Sequence, residues 1–122
     1  MHVWFQKALD LVHPARSVTQ VRRSAEEQRA ADQAAGPLTL YHFRSCPHCL
    51  RVRRAVHRLN IPIALRDIHI DPAAHRALLA GGGRQTVPCL YIDDPAEGTW
   101  LYESADIIDY LNRRFAPARG SR

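Results

Sequence analysis

Residues 38–60, LTLYHFRSCPHCLRVRRAVHRLN, constrain the chain more than any other stretch, because the hydrophobic period changes once within them and no linker marks the change. Leu38, Leu40 and His42 alternate with Thr39, Tyr41 and Phe43, and little in the run is polar, as in a buried strand. From Cys49 onward Val52, Ala55, Val56 and Leu59 recur at helical spacing, with Arg51, Arg54 and Arg58 on the other side. Asn60 before Ile61-Pro62 is a terminator. The rest of the chain supplies partners. IPIALRDIHI (61–70) reads as a second strand. Asp71-Pro72 is an N-cap and first-turn proline opening a helix through Leu79 that glycines 81 to 83 close. VPCLYID (87–93) is a third strand and TWLY (99–102) a fourth, after the turn DDPAEG. ESADIIDYLNRRF (103–115) is a last helix with Ile107, Ile108, Leu111 and Phe115 as its apolar stripe. The order is βαβαββα, an α/β arrangement.

With 122 residues there is room for one domain. Apolar residues at 46% and charged residues at 24% exclude collagen-like and highly charged disordered classes. Seventeen Lys plus Arg against twelve Asp plus Glu give +5, almost all of it arginine, which suits carboxylate and phosphate partners. An anionic small molecule meets this charge as well as nucleic acid does, and no nucleic-acid partner is expected. No segment approaches a membrane span, and the N-terminus lacks the pattern of a secretory signal, so a cytoplasmic location is expected. Residues 2–13 place Trp4, Phe5, Ala8, Leu9 and Val12 at helical spacing before Pro14. This helix is expected to pack on its own domain or on a partner; its short length and few cations argue against a membrane interface. In 15–37, Ser24 and Glu27 form a capping box and Gly36-Pro37 a stop, as in a linker helix. The organisation is therefore a helical extension over 1–37, a domain over 38–115 and a disordered tail over 116–122.

Cys46, Cys49 and Cys89 are an odd number and too few for a secreted disulfide scaffold. A CxxC by itself means little, but one that joins a strand to a helix inside a βαβ unit points to redox chemistry. The helix start leaves backbone N–H groups unpaired and places positive polarity at Cys46, which favours thiolate over thiol. Arg44, and His48 if charged, push the same way. Cys49, one turn further on the same side, is placed to resolve a mixed disulfide on Cys46. Pro47 suits the first turn, where its missing N–H has no partner to lose. A zinc site would need two more ligands, and neither a second CxxC nor a matching histidine pair exists, so no metal site is expected. An iron–sulfur cluster shared by two chains and inert core cysteines stay open as rivals. Cys89 reads as a small buried strand residue, with a third redox thiol as its alternative.

The series LYHFRSCPHCLRVRRAV, TVPCL and ESADIIDYL, in that order within 38–115, resembles the glutaredoxins and the N-terminal, thioredoxin-like domain of glutathione transferases. The nearest likeness is to the glutaredoxin of transferase-like architecture. The resemblance implies a thioredoxin-like (glutaredoxin) fold, a four-stranded mixed sheet flanked by helices. It implies a cis Val87-Pro88 bond facing the CPHC segment, with the Val87 backbone pairing with the cysteinyl part of glutathione. It also implies that Glu103 meets the γ-glutamyl amino group while Ser104 holds the α-carboxylate. As an N-cap at a helix start, Ser104 fits that role. Arg84 or Gln85 is a candidate for the glycine carboxylate. The chain departs from the pattern at Phe43, where many small glutaredoxins carry lysine, at His48, where tyrosine is common, and at Cys89 after the proline. With seven residues after Phe115, the helical second domain of transferases is not expected. The implied activity is glutathione-dependent thiol–disulfide exchange, with glutathione as co-substrate and protein or small-molecule disulfides as partners. The alternatives are a one-domain transferase-like protein and a non-enzymatic module that binds glutathione or an iron–sulfur cluster.

Overall fold

The computed structural model describes residues 19–95 and 98–117; the helix expected over 2–13 and the residues after 117 lie outside them. Four strands, β1 (Leu38–His42), β2 (Ala64–Asp67), β3 (Cys89–Ile92) and β4 (Thr99–Tyr102), form one sheet in the order β2-β1-β3-β4. β1 runs parallel to β2, with Leu40 opposite Leu65, and antiparallel to β3, with Leu40 opposite Leu90. β4 runs antiparallel to β3. Four α-helices accompany them among the described residues: α1 (Ala25–Ala35), α2 (Pro47–Leu59), α3 (Pro72–Ala77) and α4 (Ser104–Phe115). The strand and helix order is the one expected.

Strand alternation divides the core in two. Leu38, Leu40 and Leu90 point to the side of α2 and α4, where they meet Val52, Leu59, Ile107, Leu111 and Phe115. Leu38, Leu40, Val52, Leu90, Ile107 and Leu111 are all essentially inaccessible, and burying each such side chain contributes about 1.5–3 kcal/mol. The opposite face presents Tyr41 and Cys89 to Ile68, Ala74 and Leu78, flanked by Tyr91, Trp100 and Tyr102. This second face is aromatic, and the backbone must come close to cover it. Gly81 and Gly82 lie directly on the Trp100 and Tyr102 side chains, where any Cβ would collide.

That close approach alters the helix expected to run through Leu79. Its α-helical part stops at Ala77, and Leu78–Gly82 follow as a π-helical turn ending at Gly83, whose φ of 86° only glycine adopts easily. The second strand is also shorter than 61–70. Asp67 ends it, because its Oδ1 accepts the His69 N–H at 2.8 Å while its carbonyl accepts the N–H groups of Ile70 and Asp71. The caps of α1 and α3 are as expected. Ser24 and Glu27 exchange the two capping-box bonds at 3.0 and 3.1 Å, and Asp71 Oδ1 accepts the N–H groups of Ala73 and Ala74.

The helix α1 is joined to the core rather than standing apart from it. Ala35 is buried with the α2–α4 layer. Arg23, just before the helix, donates to the Phe115 carbonyl at 2.8 Å and to the Asn60 carbonyl at 3.3 Å. No helix among the described residues is long and apolar enough to cross a membrane.

Candidate functional site

The site begins where β1 gives way to α2. Cys46 is the N-cap of α2, with extended backbone angles, and its Sγ accepts the Cys49 N–H at 3.3 Å. Its own N–H reaches back to the Phe43 carbonyl at 3.2 Å. A sulfur thus occupies the place usually taken by a serine or aspartate oxygen, with Pro47 in the first turn. Cys46 keeps 6% of its surface accessible and Cys49 none. Burial pushes the Cys49 thiol up to about 12, and its contact with the Cys46 sulfur adds to the shift. All three cysteines are free thiols.

Beneath this junction lies a pair that the sequence reading did not single out. His42, buried at the end of β1, accepts a hydrogen bond at Nδ1 from Arg53 Nη1 at 3.2 Å. Arg53 Nη2 goes on to the Arg44 carbonyl at 3.3 Å, tying α2 to the loop before Cys46. Burial, then the Arg53 charge, hold His42 below the usual histidine range, against an opposing pull from Asp67. The sequence signal was a histidine inside an apolar strand, which needs a buried partner.

A cavity of about 220 Å³ opens beside the junction, lined by His48, Arg51, Thr86, Val87, Pro88, Glu103 and Ser104. Val87-Pro88 is a cis peptide bond, as expected, and His48 of the CPHC segment shares the cavity with it. At the far wall the structure corrects the expected cap. Glu103, not Ser104, is the N-cap of α4, and Ser104 is the first helical residue. Glu103 has φ of 79° and makes no side-chain capping bond. A non-glycine residue held there is strained by about 1–3 kcal/mol, and such outliers cluster at functional sites. Ser104 Oγ accepts instead from Arg51 Nη1 at 3.3 Å.

The remaining expected residues are distributed unevenly. Pro47 is exposed beside the cysteines, and Arg44 is exposed, its backbone bonding Arg53 and the Asp67 carboxylate. Arg84 and Gln85 do not line the cavity. Arg84 lies over the Tyr102 ring at 4.2 Å, and Gln85 Oε1 meets His75 Nε2 at 2.9 Å. Arg51, which the helical pattern assigns to the solvated face, does line it. Its spacing of three from His48 was the available signal, since residues so spaced share a helix face. Cys89, next to Pro88, belongs to the opposite face of the sheet, where burial pushes its thiol up to about 11. Among the described residues no three His, Cys, Asp or Glu side chains gather as a metal site.

A mixed four-stranded sheet, a CxxC opening the helix after its first strand and a cis-proline loop on the same cavity define a thioredoxin-like fold. A thioredoxin-like protein of solved structure shares it with a TM-score of 0.52 at 23% identity, over 63% of this chain and 96% of that one. The model of the glutathione S-transferase N-terminal domain matches residues 40–119, and the chain belongs to that family. Glutaredoxin 2 of Escherichia coli K12 is 32% identical over 76 residues, 62% of this chain. This chain spans about a third of the length of that curated relative, 33%. A trimeric glutathione transferase from Leishmania is 27% identical with a TM-score of 0.55, over 66% of this chain and 18% of that one.

Proposed function

We propose that the protein is a glutathione-dependent thiol–disulfide oxidoreductase with Cys46 as nucleophile and Cys49 as resolving thiol. The observation that carries this reading is the unequal placement of the two sulfurs. Cys46 Sγ caps the α2 N-terminus at the surface side of the junction and accepts an N–H at 3.3 Å, while Cys49 is fully buried with its thiol pushed up to about 12. Attack by the Cys46 thiolate on a disulfide forms a Cys46 mixed disulfide and releases one thiolate. Once Cys46 is bonded, its charge and hydrogen bond no longer hold Cys49 as a thiol, and burial is then opposed by the Phe43 backbone hydrogen bond and the Arg53 charge. Cys49 therefore ionises more readily when there is a bond for it to resolve. Its attack on Cys46 releases the second thiol and closes the Cys46–Cys49 disulfide. One glutathione opens that disulfide and a second removes the first as oxidised glutathione, so two thiols are oxidised for each disulfide reduced.

Glutathione as co-substrate is supported by the family, by Glutaredoxin 2 and by the make-up of the cavity. Val87 offers backbone groups beside Pro88, Glu103 a carboxylate for the γ-glutamyl ammonium, and Ser104 with the start of α4 a place for the α-carboxylate. A reducing compartment such as the cytoplasm suits free thiols and supplies the tripeptide. The test is turnover of hydroxyethyl disulfide with glutathione and glutathione reductase. Cys46→Ser should fall to background, while Cys49→Ser should keep turnover resolved by glutathione and lose reduction of a protein disulfide. An inactive wild type, or an unchanged Cys46→Ser, rejects the proposal. A transferase-like activity is the second reading, favoured by the family match. Conjugation of an aromatic electrophile that survives Cys46→Ser would support it.

A further inference from the structure

Arg51 is the one arginine of α2 that lines the cavity, and its surroundings leave its charge uncommitted. Its described hydrogen bond is to a neutral hydroxyl, Ser104 Oγ, at 3.3 Å, the long end of the range. Ion pairs among the described residues join Arg66 to Asp71 and Arg113 to Asp109, and Arg51 is in neither. A guanidinium carries five N–H donors in a planar fork that matches a carboxylate. Most of that fork is therefore available to a ligand.

The cavity also holds a charge of opposite sign. Glu103 lines it next to Ser104, at a strained φ of 79° and without a capping bond of its own. A cation and an anion on one cavity, with the Ser104 hydroxyl next to Glu103 in sequence and bonded to Arg51, and a helix N-terminus behind, complement a zwitterionic α-amino acid end. The ammonium would go to Glu103 and the carboxylate to Arg51 and Ser104. The residues expected to take the glycine carboxylate lie away from this cavity, Arg84 on the Tyr102 ring and Gln85 with His75.

We propose that Arg51 is the carboxylate-binding cation of this cavity, taking the γ-glutamyl α-carboxylate of glutathione while Ser104 Oγ serves as its anchor. The inference rests on glutathione being the ligand. It makes a free α-carboxylate next to the ammonium a condition of tight binding, so that cysteinylglycine and analogues without that group are rejected.

The experiment is calorimetric titration of the full chain, as wild type and Arg51→Gln, with three probes. S-Methylglutathione cannot exchange with Cys46. Its 4-aminobutyryl analogue lacks only the γ-glutamyl α-carboxylate, and its glycinamide analogue lacks only the glycine carboxylate charge. Arg51→Gln should weaken S-methylglutathione and the glycinamide by about tenfold to a hundredfold, the worth of a charged hydrogen-bonded pair. It should leave the 4-aminobutyryl analogue, already weak for wild type, unchanged. Equal affinity of wild type and variant for S-methylglutathione overturns the inference and spares glutathione as ligand. So does an equal loss for the 4-aminobutyryl analogue, or a loss that disappears for the glycinamide. Failure of wild type to bind S-methylglutathione or glutathione overturns both. Glutamine keeps the helix propensity of arginine, and an unchanged far-ultraviolet spectrum separates lost binding from lost fold.

Discussion

The two ends of α2 are built to different specifications. At its C-terminus the last carbonyls are taken by distant segments of the chain, although a cavity of about 280 Å³ lined by Gln20, His57 and Asn60 lies beside them. The His57 carbonyl accepts from Gln20 Nε2 at 2.8 Å, the Arg58 carbonyl from the Val21 N–H at 2.9 Å, and the Asn60 carbonyl from Gln28 Nε2 at 2.9 Å and from Arg23. Asn60 closes the helix in the left-handed region at φ 57°. At the N-terminus the side-chain cap is a single sulfur contact of 3.3 Å, and a cavity follows immediately. Helix ends carry unsatisfied backbone groups, and this helix satisfies one set with its own chain while capping the other with a group proposed to react. Stability should therefore concentrate at one end and function at the other.

Breaking the closed end should have the largest effect on stability. Arg23→Ala removes bonds to the Phe115 and Asn60 carbonyls and to Gln28 Oε1, and should cost about 2 kcal/mol in urea unfolding. The rate of Cys46 alkylation by iodoacetamide should not change. If that rate falls in step with stability, the two ends are one unit and the contrast is lost.

The support beneath the open end should show itself through pH. His42 is held below its unfolded-state range, so between about pH 6.5 and its folded value the unfolded chain binds the proton and the native protein does not. Stability should fall as pH drops through that window, by at most about 1.4 kcal/mol per pH unit for one proton. His42→Asn, which offers Arg53 an acceptor without a titrating ring, should flatten the slope of stability against pH. An unaltered slope would assign the acid sensitivity to other groups.

The smallest effect is expected from Asn60→Gly. Glycine adopts positive φ without cost, offsetting the loss of the Asn60 Nδ2 bonds to the Val21 carbonyl and Gln28 Oε1, both 3.4 Å long. A change within about 0.5 kcal/mol should result. A larger loss would make the asparagine side chain, rather than the backbone conformation, the closure of this end.

Features that depend on neighbours three or four residues away were legible before the fold was known. The capping box at Ser24 and Glu27, the Asp71 cap, the stop at Asn60 and the change of period from β1 to α2 are of this kind. The CPHC junction is too, since a strand and a helix in direct succession place Cys46 at a helix start whatever surrounds them. The cis bond at Pro88, with Glu103 and Ser104 on the same cavity, came from the resemblance of whole motifs rather than from local physics.

Other features required distant segments to meet. Arg23 binds a carbonyl 92 residues away, which no local pattern encodes. The cap of α4 falls on Glu103 rather than Ser104 because its backbone is held at positive φ, against a preference that favours serine. The pattern that identified α2 also assigned Arg51 to solvent, because amphipathicity divides a helix into an apolar stripe and everything else. The approach of α4 turns part of that remainder into a cavity wall. Short-range sterics and hydrogen bonding set the elements and their ends, while the packing of α2 against α4 decided which charged side chains face one another.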